Sequence, residues 1–390
     1  MIPNIPVAWL QLARQKVRFI VAVAGIAFVA VLMFMQIGFQ DALYASATRV
    51  NQSLQGDVFL ISSQYESLTS QQSFPRSRLY QTLGFDGVES VSPLYLQFAK
   101  LKNPTTGQKY PIYVLGFNPA KPVLNLPEVN QKLNMLKFPD VVLFDRASRP
   151  EFGAVAEDFN QGEAVKIEIF SYNASIGYRV KVGGLFSLGP SFGVDGNLIV
   201  SDSTFLRTFR ERQAENIDVG VITLKPGADA QEVIENLSVN LPKDVKFFTR
   251  ESFVAFEKQY WTVRTPIGFV FSLMVIMGFV VGVVVVYQIL YSNISNHLIE
   301  YATLKAMGFK NNYLLGVVFQ QALILAVLGY IPGFAISLGL YDVAKDATHL
   351  PVVMSFDKAL LVLVSALLMC LTSGFFSASK LRSADPADVF

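Results

Sequence analysis

The sequence predicts an α-helical membrane protein with four transmembrane helices and a large α+β extracytoplasmic domain. Three observations lead there. First, the 390 residues are 52% hydrophobic and only 16% charged, with a mean hydropathy of +0.40. That is too apolar for an ordinary soluble protein and too polar for a bundle of spans alone. Second, four stretches stay apolar over the roughly 20 residues that a helix needs to cross about 30 Å of hydrocarbon. Third, residues 45–264 between the first two stretches have a mixed, alternating pattern and are long enough for a core of their own. The net charge of +2 argues against a nucleic-acid binder, which carries a strong basic excess.

Residues 1–44 hold a basic N-terminal segment and the first span, about 19–39. Arg14, Lys16 and Arg18, with Ala45-Ser46-Ala47 further on, also fit a secretory signal. The apolar run exceeds the usual signal core of about 7–15 residues, which favours an uncleaved span. Polar Gln36, Gln40 and Asp41 also separate that run from the triplet. Within 45–264, Val165, Ile167 and Ile169 alternate with Lys166 and Glu168, as a half-buried strand does. Tyr178, Val180 and Val182 repeat the pattern until Gly183-Gly184, where the strand is expected to end. Residues 197–200 read as a short strand. Residues 217–248 read as strand, helix, strand, with "IDVGVITL" as the first.

Residues 265–390 hold the remaining spans, at about 266–291, 314–341 and 359–376. The second contains Gly278-x-x-x-Gly282, a spacing that permits close helix–helix approach. In the third, Pro332 lacks the amide donor and is expected to kink the helix. No span places a charge in its apolar core, which argues against proton- or ion-coupled transport. Orientation follows from lysine and arginine in short loops. The N-terminal segment, the 292–313 loop with Lys305 and Lys310, and the tail with Lys380 and Arg382 are the basic ones. Both termini and that loop are therefore expected in the cytoplasm of a cell with the chain in its inner membrane.

Signs of catalysis are few. Cys370, the single cysteine, lies in the fourth span, so the chain forms no internal disulfide. His297 and His349 fall on opposite membrane faces by this topology, which excludes a metal site of His and Cys type. No G-x-S-x-G elbow is present. "FDRASRPEFG", 144–153, reads as a surface turn of paired charges. Glu257, Tyr260 and Trp261 read as a stalk entering the membrane interface, where Trp and Tyr favour the headgroup level.

The informative stretch is "HLIEYATLKAMGF", 297–309. On a 3.6-residue period, Leu290, Ile294, Leu298 and Tyr301 share one side, with Leu304 at its edge. Asn293, Asn296, Glu300 and Thr303 share the other. That predicts an amphipathic helix along the membrane face, within about 292–309. Lys305 snorkels from the apolar side and suits the last turn, and Gly308 fits the left-handed cap that follows.

"EYATLKAMG", 300–308, resembles the coupling segment of the FtsX/MacB-like superfamily of ABC permeases. The layout of one span, a large outer domain and three spans is similar too. The segment "TPIGFVFSLMVIMGFVVGVVVVYQILYSNISNHLIEYATLKAMGF", with "FDRASRPEFG" and "FEKQYW", looks like the DevC-type permeases of cyanobacterial DevBCA exporters. His297 stands where many relatives have Arg, and Tyr301 where they have Ile. The resemblance implies a MacB-like (type VII) architecture and a homodimer. It implies that His297, Glu300, Tyr301, Leu304, Lys305 and Gly308 couple the chain to a separate, DevA-like ABC ATPase. No cofactor is expected on this chain, since it lacks a G-x-x-x-x-G-K-[ST] loop. ATP and magnesium belong to the ATPase.

The implied activity is transmission of ATPase motion to the outer domain. That motion drives export of lipid-like cargo, of glycolipid type, through a DevB-like membrane fusion protein and a TolC-like channel. Two alternatives stay open at this point. One is an FtsX-like signalling subunit that controls a periplasmic cell-wall hydrolase. The other is a membrane-anchored enzyme, for which no nucleophile–base set is in view.

Overall fold

A computed structural model describes residues 7–382 apart from Gln71, Asn173 and Phe192. The side chains of Lys380 and Arg382, which weigh in the expected orientation, lie outside the described ones.

In chain order, α1 (Val7–Arg14) and α2 (Lys16–Ala47) come first. The mixed region then carries α3 (Arg49–Ser53), β1 (Val58–Ser62), β2 (Phe74–Pro75), α4 (Arg76–Gln81), β3 (Val88–Lys102) and β4 (Lys109–Phe117). Next come α5 (Pro127–Asn130), β5 (Val141–Asp145), α6 (Val155–Asn160), β6 (Lys166–Ser171), β7 (Tyr178–Phe186), β8 (Asn197–Ser201) and α7 (Asp202–Thr208). It closes with β9 (Asn216–Ile217), β10 (Val219–Leu224), α8 (Ala230–Asn240), β11 (Val245–Thr249) and α9 (Arg250–Gln259). A π-helical turn, Tyr260–Arg264, leads into α10 (Pro266–Asn296), α11 (Leu298–Ala306), α12 (Asn311–Thr348) and α13 (Phe356–Arg382). Among the described residues, four helices are long and apolar enough to cross a membrane: α2, α10, α12 and the Phe356–Ser377 part of α13. The chain divides into two compact units. Leu43–Pro266 with Thr348–Pro351 form one, and the apolar helices with α1 and α11 form the other.

In the first unit, a nine-stranded sheet runs in the order β11-β1-β10-β3-β4-β8-β5-β7-β6. Strand β6 also pairs back onto β3, through Ala99–Ser171 to Lys102–Glu168, so β3, β4, β8, β5, β7 and β6 close into a ring. Closure removes the open edges that would template unwanted pairing. Strands β10, β1 and β11 extend from the first half of β3 as an antiparallel wing. Residues in β1 alternate between two cores: Val58 and Leu60 join one, Phe59 and Ile61 the other. Sheet and helices together make the domain α+β.

Three expectations are corrected here. Strand β7 does not stop at Gly183-Gly184 but continues to Phe186, with a register shift opposite Val142/Leu143. A Cβ at Gly183 would run into Val141, and one at Gly184 would lie 3.1 Å from Leu143. The glycines admit the close passage of β5 rather than end the strand. "IDVGVITL" is split at Asp218, whose buried carboxylate accepts from Leu96 N (2.7 Å) and Arg212 (2.6 Å). "FDRASRPEFG" is not a turn of mutually paired charges. Arg146 pairs with Glu128 and Arg149 with Asp195. Asp145 is fully buried, where its carboxylate accepts from the amides of Ala147, Leu188 and Gly189 and from Asn197. Burial pushes its pKa up, against those hydrogen bonds.

Glu257 and Trp261, in the segment that leads into α10, are buried in the domain. The Glu257 carboxylate accepts from Tyr65 Oη (2.9 Å), from the amide of Leu68 (3.1 Å to each oxygen) and from Trp261 Nε1 (3.2 Å). Burial raises its pKa to about 7, against the pull of those donors.

In the apolar unit, small residues set the packing. Gly329 and Gly333 of α12 meet α2, where an added Cβ would lie 2.6 Å from Ile26 and 2.8 Å from Ala30. Side chains at Gly278 and Gly282 of α10 would run into Gln36 and Met369, on α2 and α13. Ser373 on α13 donates to Val283 O (2.8 Å), and Tyr341 on α12 to Phe34 O (2.6 Å). Such contacts replace hydrophobic segregation, which lipid does not supply. Helix α12 runs on through Pro332 as one element. At the α2 and α13 ends, Lys358 pairs with Asp41 at 2.6 Å.

Candidate functional site

Helix α11 is set off from α10 at His297 rather than continuing it, so the amphipathic pattern over 290–305 spans two helices. Leu, Ala and Lys favour the helical state along α11. Glu300 in its first turn and Lys305 in its last complement the macrodipole. The end is a full left-handed cap. Gly308 has φ +90°, its amide bonds Lys305 O (3.0 Å), and the Phe309 amide bonds Leu304 O (3.1 Å).

One side of α11 is locked. Tyr301 and Ala302 are buried, and Tyr301 packs with Ala8, Ile294, Leu314, Val317 and Val318, with Leu304 against the same cluster. At the centre of the lock is Gln11 of α1, a residue that charge and periodicity did not single out. Its Nε2 donates to Glu300 Oε2 (3.0 Å). Its Oε1 accepts from Tyr301 Oη (3.1 Å) and from Gln321 Nε2 of α12 (2.7 Å). Asn293 of α10 donates to Gln321 Oε1 (3.1 Å). Four helices thus meet in one hydrogen-bonded network beside α11. A glutamine within an apolar stretch is the signal that could have marked Gln11 and Gln321.

Glu300 belongs to this lock while its side chain stays part-exposed. His297 Nδ1 donates to it (3.2 Å), and Arg14 lies 3.8 Å away. Partial burial pulls the carboxyl pKa up. The hydrogen bonds from Gln11 and His297 and the Arg14 charge outweigh that, so the pKa sits below its ordinary value. Burial drives the Tyr301 hydroxyl pKa well up. His297 is itself buried.

The other side is open and largely apolar. Ile299 is 64% exposed and Met307 69%, with Thr303 and Ala306 exposed between them. Periodicity placed polar residues on this side; Asn296 and Thr303 are exposed as expected, the part-exposed Asn293 and Glu300 are engaged by Gln321 and by Gln11 and His297, and Ile299 and Met307 also stand in the open. Lys305 is half-buried and Gly308 exposed. Among the described residues, no three His, Cys, Asp or Glu side chains gather where they could hold a metal ion.

Residues 272–386 match the family of the FtsX-like permease C-terminal domain. The match starts within α10 and contains α11 and α12. No curated protein matches the chain. Among solved structures, the periplasmic region of MacB from Actinobacillus actinomycetemcomitans is similar at 12% identity and a TM-score of 0.34, over 52% of this chain and 93% of that one. The extracellular domain of the noncanonic ABC-type transporter YknZ from Gram-positive bacteria is similar at 13% and 0.29, over 50% and 99%. A domain of a putative permease protein from Porphyromonas gingivalis is similar at 11% and 0.30, over 51% and 93%.

Proposed function

We propose, from the premise that residues 272–386 are an FtsX-like permease domain, that the chain is the permease subunit of an ABC exporter and carries no ATPase of its own. Helix α11 docks on a DevA-like ABC ATPase, which binds ATP and magnesium. The observation that carries this reading is the two-sided character of α11. Its exposed apolar stripe, Ile299, Thr303, Ala306 and Met307, offers a partner dry contact area. Its opposite side is tied to α1, α10 and α12 through Gln11, Asn293 and Gln321. A push on the stripe therefore reaches three other helices through packed, hydrogen-bonded contacts and is not absorbed in a loose loop.

On this reading the chain is a homodimer in the inner membrane with both termini cytoplasmic. The α+β unit engages a DevB-like membrane fusion protein and a TolC-like channel, and the cargo is lipid-like, of glycolipid type. His297, Glu300, Tyr301 and Leu304 act by holding α11 in place, and Gly308 ends it.

The test is co-purification from native membranes with mass spectrometry. Wild type is expected to recover an ABC ATPase with a periplasmic adaptor. Ile299→Asp with Met307→Asp is expected to lose the ATPase while keeping its melting temperature, because both side chains are already in water. Recovery of no ATPase by wild type would overturn the docking role. Recovery of a cell-wall hydrolase or its activator in place of the adaptor would replace export with signalling.

A further inference from the structure

A cavity of about 330 Å³ lies between α1, the start of α2 and the last turns of α10. We propose that it binds the headgroup of an anionic phospholipid. The proposal stands on the membrane-spanning helices and not on the exporter reading.

The lining is divided by chemistry. Leu12, Phe19, Ala22, Ile289 and Leu325 make an apolar floor. Gln15, Arg18, Gln288, Ser292 and Asn296 make a polar rim. An amphipathic ligand satisfies both: a charged or polar head at the rim, with the first methylenes on the floor. Val17 and Val21 also line the cavity, and they are 76% and 63% exposed. Ile20, on the same helix, is exposed too. The mouth therefore opens on an apolar surface of α2 at the start of a span, which suits acyl chains and favours a lipid over a water-soluble ligand.

Charge selects an anion. Among the described residues, Arg18 is the one charged side chain in the lining, and no carboxylate lines the cavity. Gln15 Oε1 accepts from Arg18 Nη1 at 2.7 Å, which orients the guanidinium along the rim. The planar fork of a guanidinium suits a phosphate oxygen pair. Basic sites between helices at the membrane surface take anionic headgroups for this reason.

Position gives the site a consequence. Gln11 and Asn293 line the inner wall, but both are already engaged, Gln11 with Glu300, Tyr301 and Gln321, and Asn293 with Gln321. A headgroup bound at the rim would lie one side chain away from the network that holds α11. It would clamp α1 and α10 together, so the charge of the surrounding leaflet biases how firmly α11 is held.

The test uses the full-length protein in detergent, with native mass spectrometry as readout. The probes are phosphatidylglycerol, phosphatidylcholine and inorganic phosphate. Phosphatidylglycerol is expected to be retained over phosphatidylcholine, and Arg18→Gln to weaken it about tenfold, the scale of one lost charge-assisted hydrogen bond. Arg18→Lys should restore part of the retention. Because Arg18 is on the surface, the melting temperature of unliganded Arg18→Gln serves as the folding control. Equal retention of the two lipids, or unchanged retention by Arg18→Gln, overturns the proposal. Displacement of the lipid by inorganic phosphate at equal concentration would make this an anion site and not a lipid site. Failure of every probe to be retained would likewise overturn the proposal.

Discussion

Glu257 in the α+β unit and Glu300 on α11 are the same residue, each held by donors, and their environments push them in opposite directions. Glu257 accepts from Tyr65, Leu68 and Trp261, and its pKa still rises to about 7. Glu300 accepts from Gln11 and His297, and its pKa falls. Hydrogen bonds alone do not decide the sign. Glu257 is fully buried and its partners are neutral, whereas the Glu300 side chain is 43% exposed and has Arg14 beside it. Solvation and a nearby cation separate the two. The first glutamate ties a domain together, while the second belongs to the network that holds α11.

The largest effect should come from deleting the buried partner. Glu257→Ala leaves the Tyr65 hydroxyl, the Trp261 indole N–H and the Leu68 amide without an acceptor. A loss of about 3 kcal/mol or more is expected, since each stranded buried donor costs about 1–3 kcal/mol. Thermal melting of the full-length protein measures it; a change below 1 °C would mean that water replaces the carboxylate.

Next in size is a contrast in pH dependence. A raised carboxyl pKa means that the fold holds a proton the unfolded chain releases. The stability of the α+β unit is therefore expected to fall as pH rises from about 4.5 to about 7. For Glu300 the sign reverses: its contribution is present above about 4.5 and is lost as pH drops through its lower folded value. The chain has two tryptophans, Trp9 and Trp261. In a Trp9→Phe protein, emission of Trp261 should therefore titrate near pH 7, and Glu257→Gln should abolish the step. A step that persists in Glu257→Gln would place the proton elsewhere.

The smallest effect is local. Gln11→Ala removes the acceptor of Tyr301 and Gln321 and the donor to Glu300, at a cost of about 2 kcal/mol. Amide exchange over 298–306 should accelerate while the β-ring is unaffected. Exchange that rises throughout the helices would show that the network holds the whole unit and not α11 alone.

Legibility in the sequence follows the same division. The spans were readable because bilayer thickness fixes a length and lipid fixes a composition. The strand at 166–171 and the first part of the one at 178–186 were readable because buried and exposed residues alternate there. Ring closure through β3 and β6 was not, since the pairing joins residues far apart in the chain and leaves no local mark. Around α11, period alone placed Leu290, Ile294 and Tyr301 inside, as they are. It missed the exposure of Ile299 and the partners of Glu300, because the glutamine and the histidine that reach this part-exposed carboxylate lie on another helix and another turn. The role of Gln11 needed the third dimension, as did the Gly329–Gly333 contact on α2, which hid behind the more conspicuous Pro332.

Helix α12 has 38 residues. At 1.5 Å per residue it is a rod about 57 Å long, against a hydrocarbon layer of about 30 Å. The helix passes Pro332 without ending. Its surplus length must either lean or stand in water. A helix longer than the layer it crosses is accommodated by tilt or by ends that project from it, at a modest cost per ångström of mismatch.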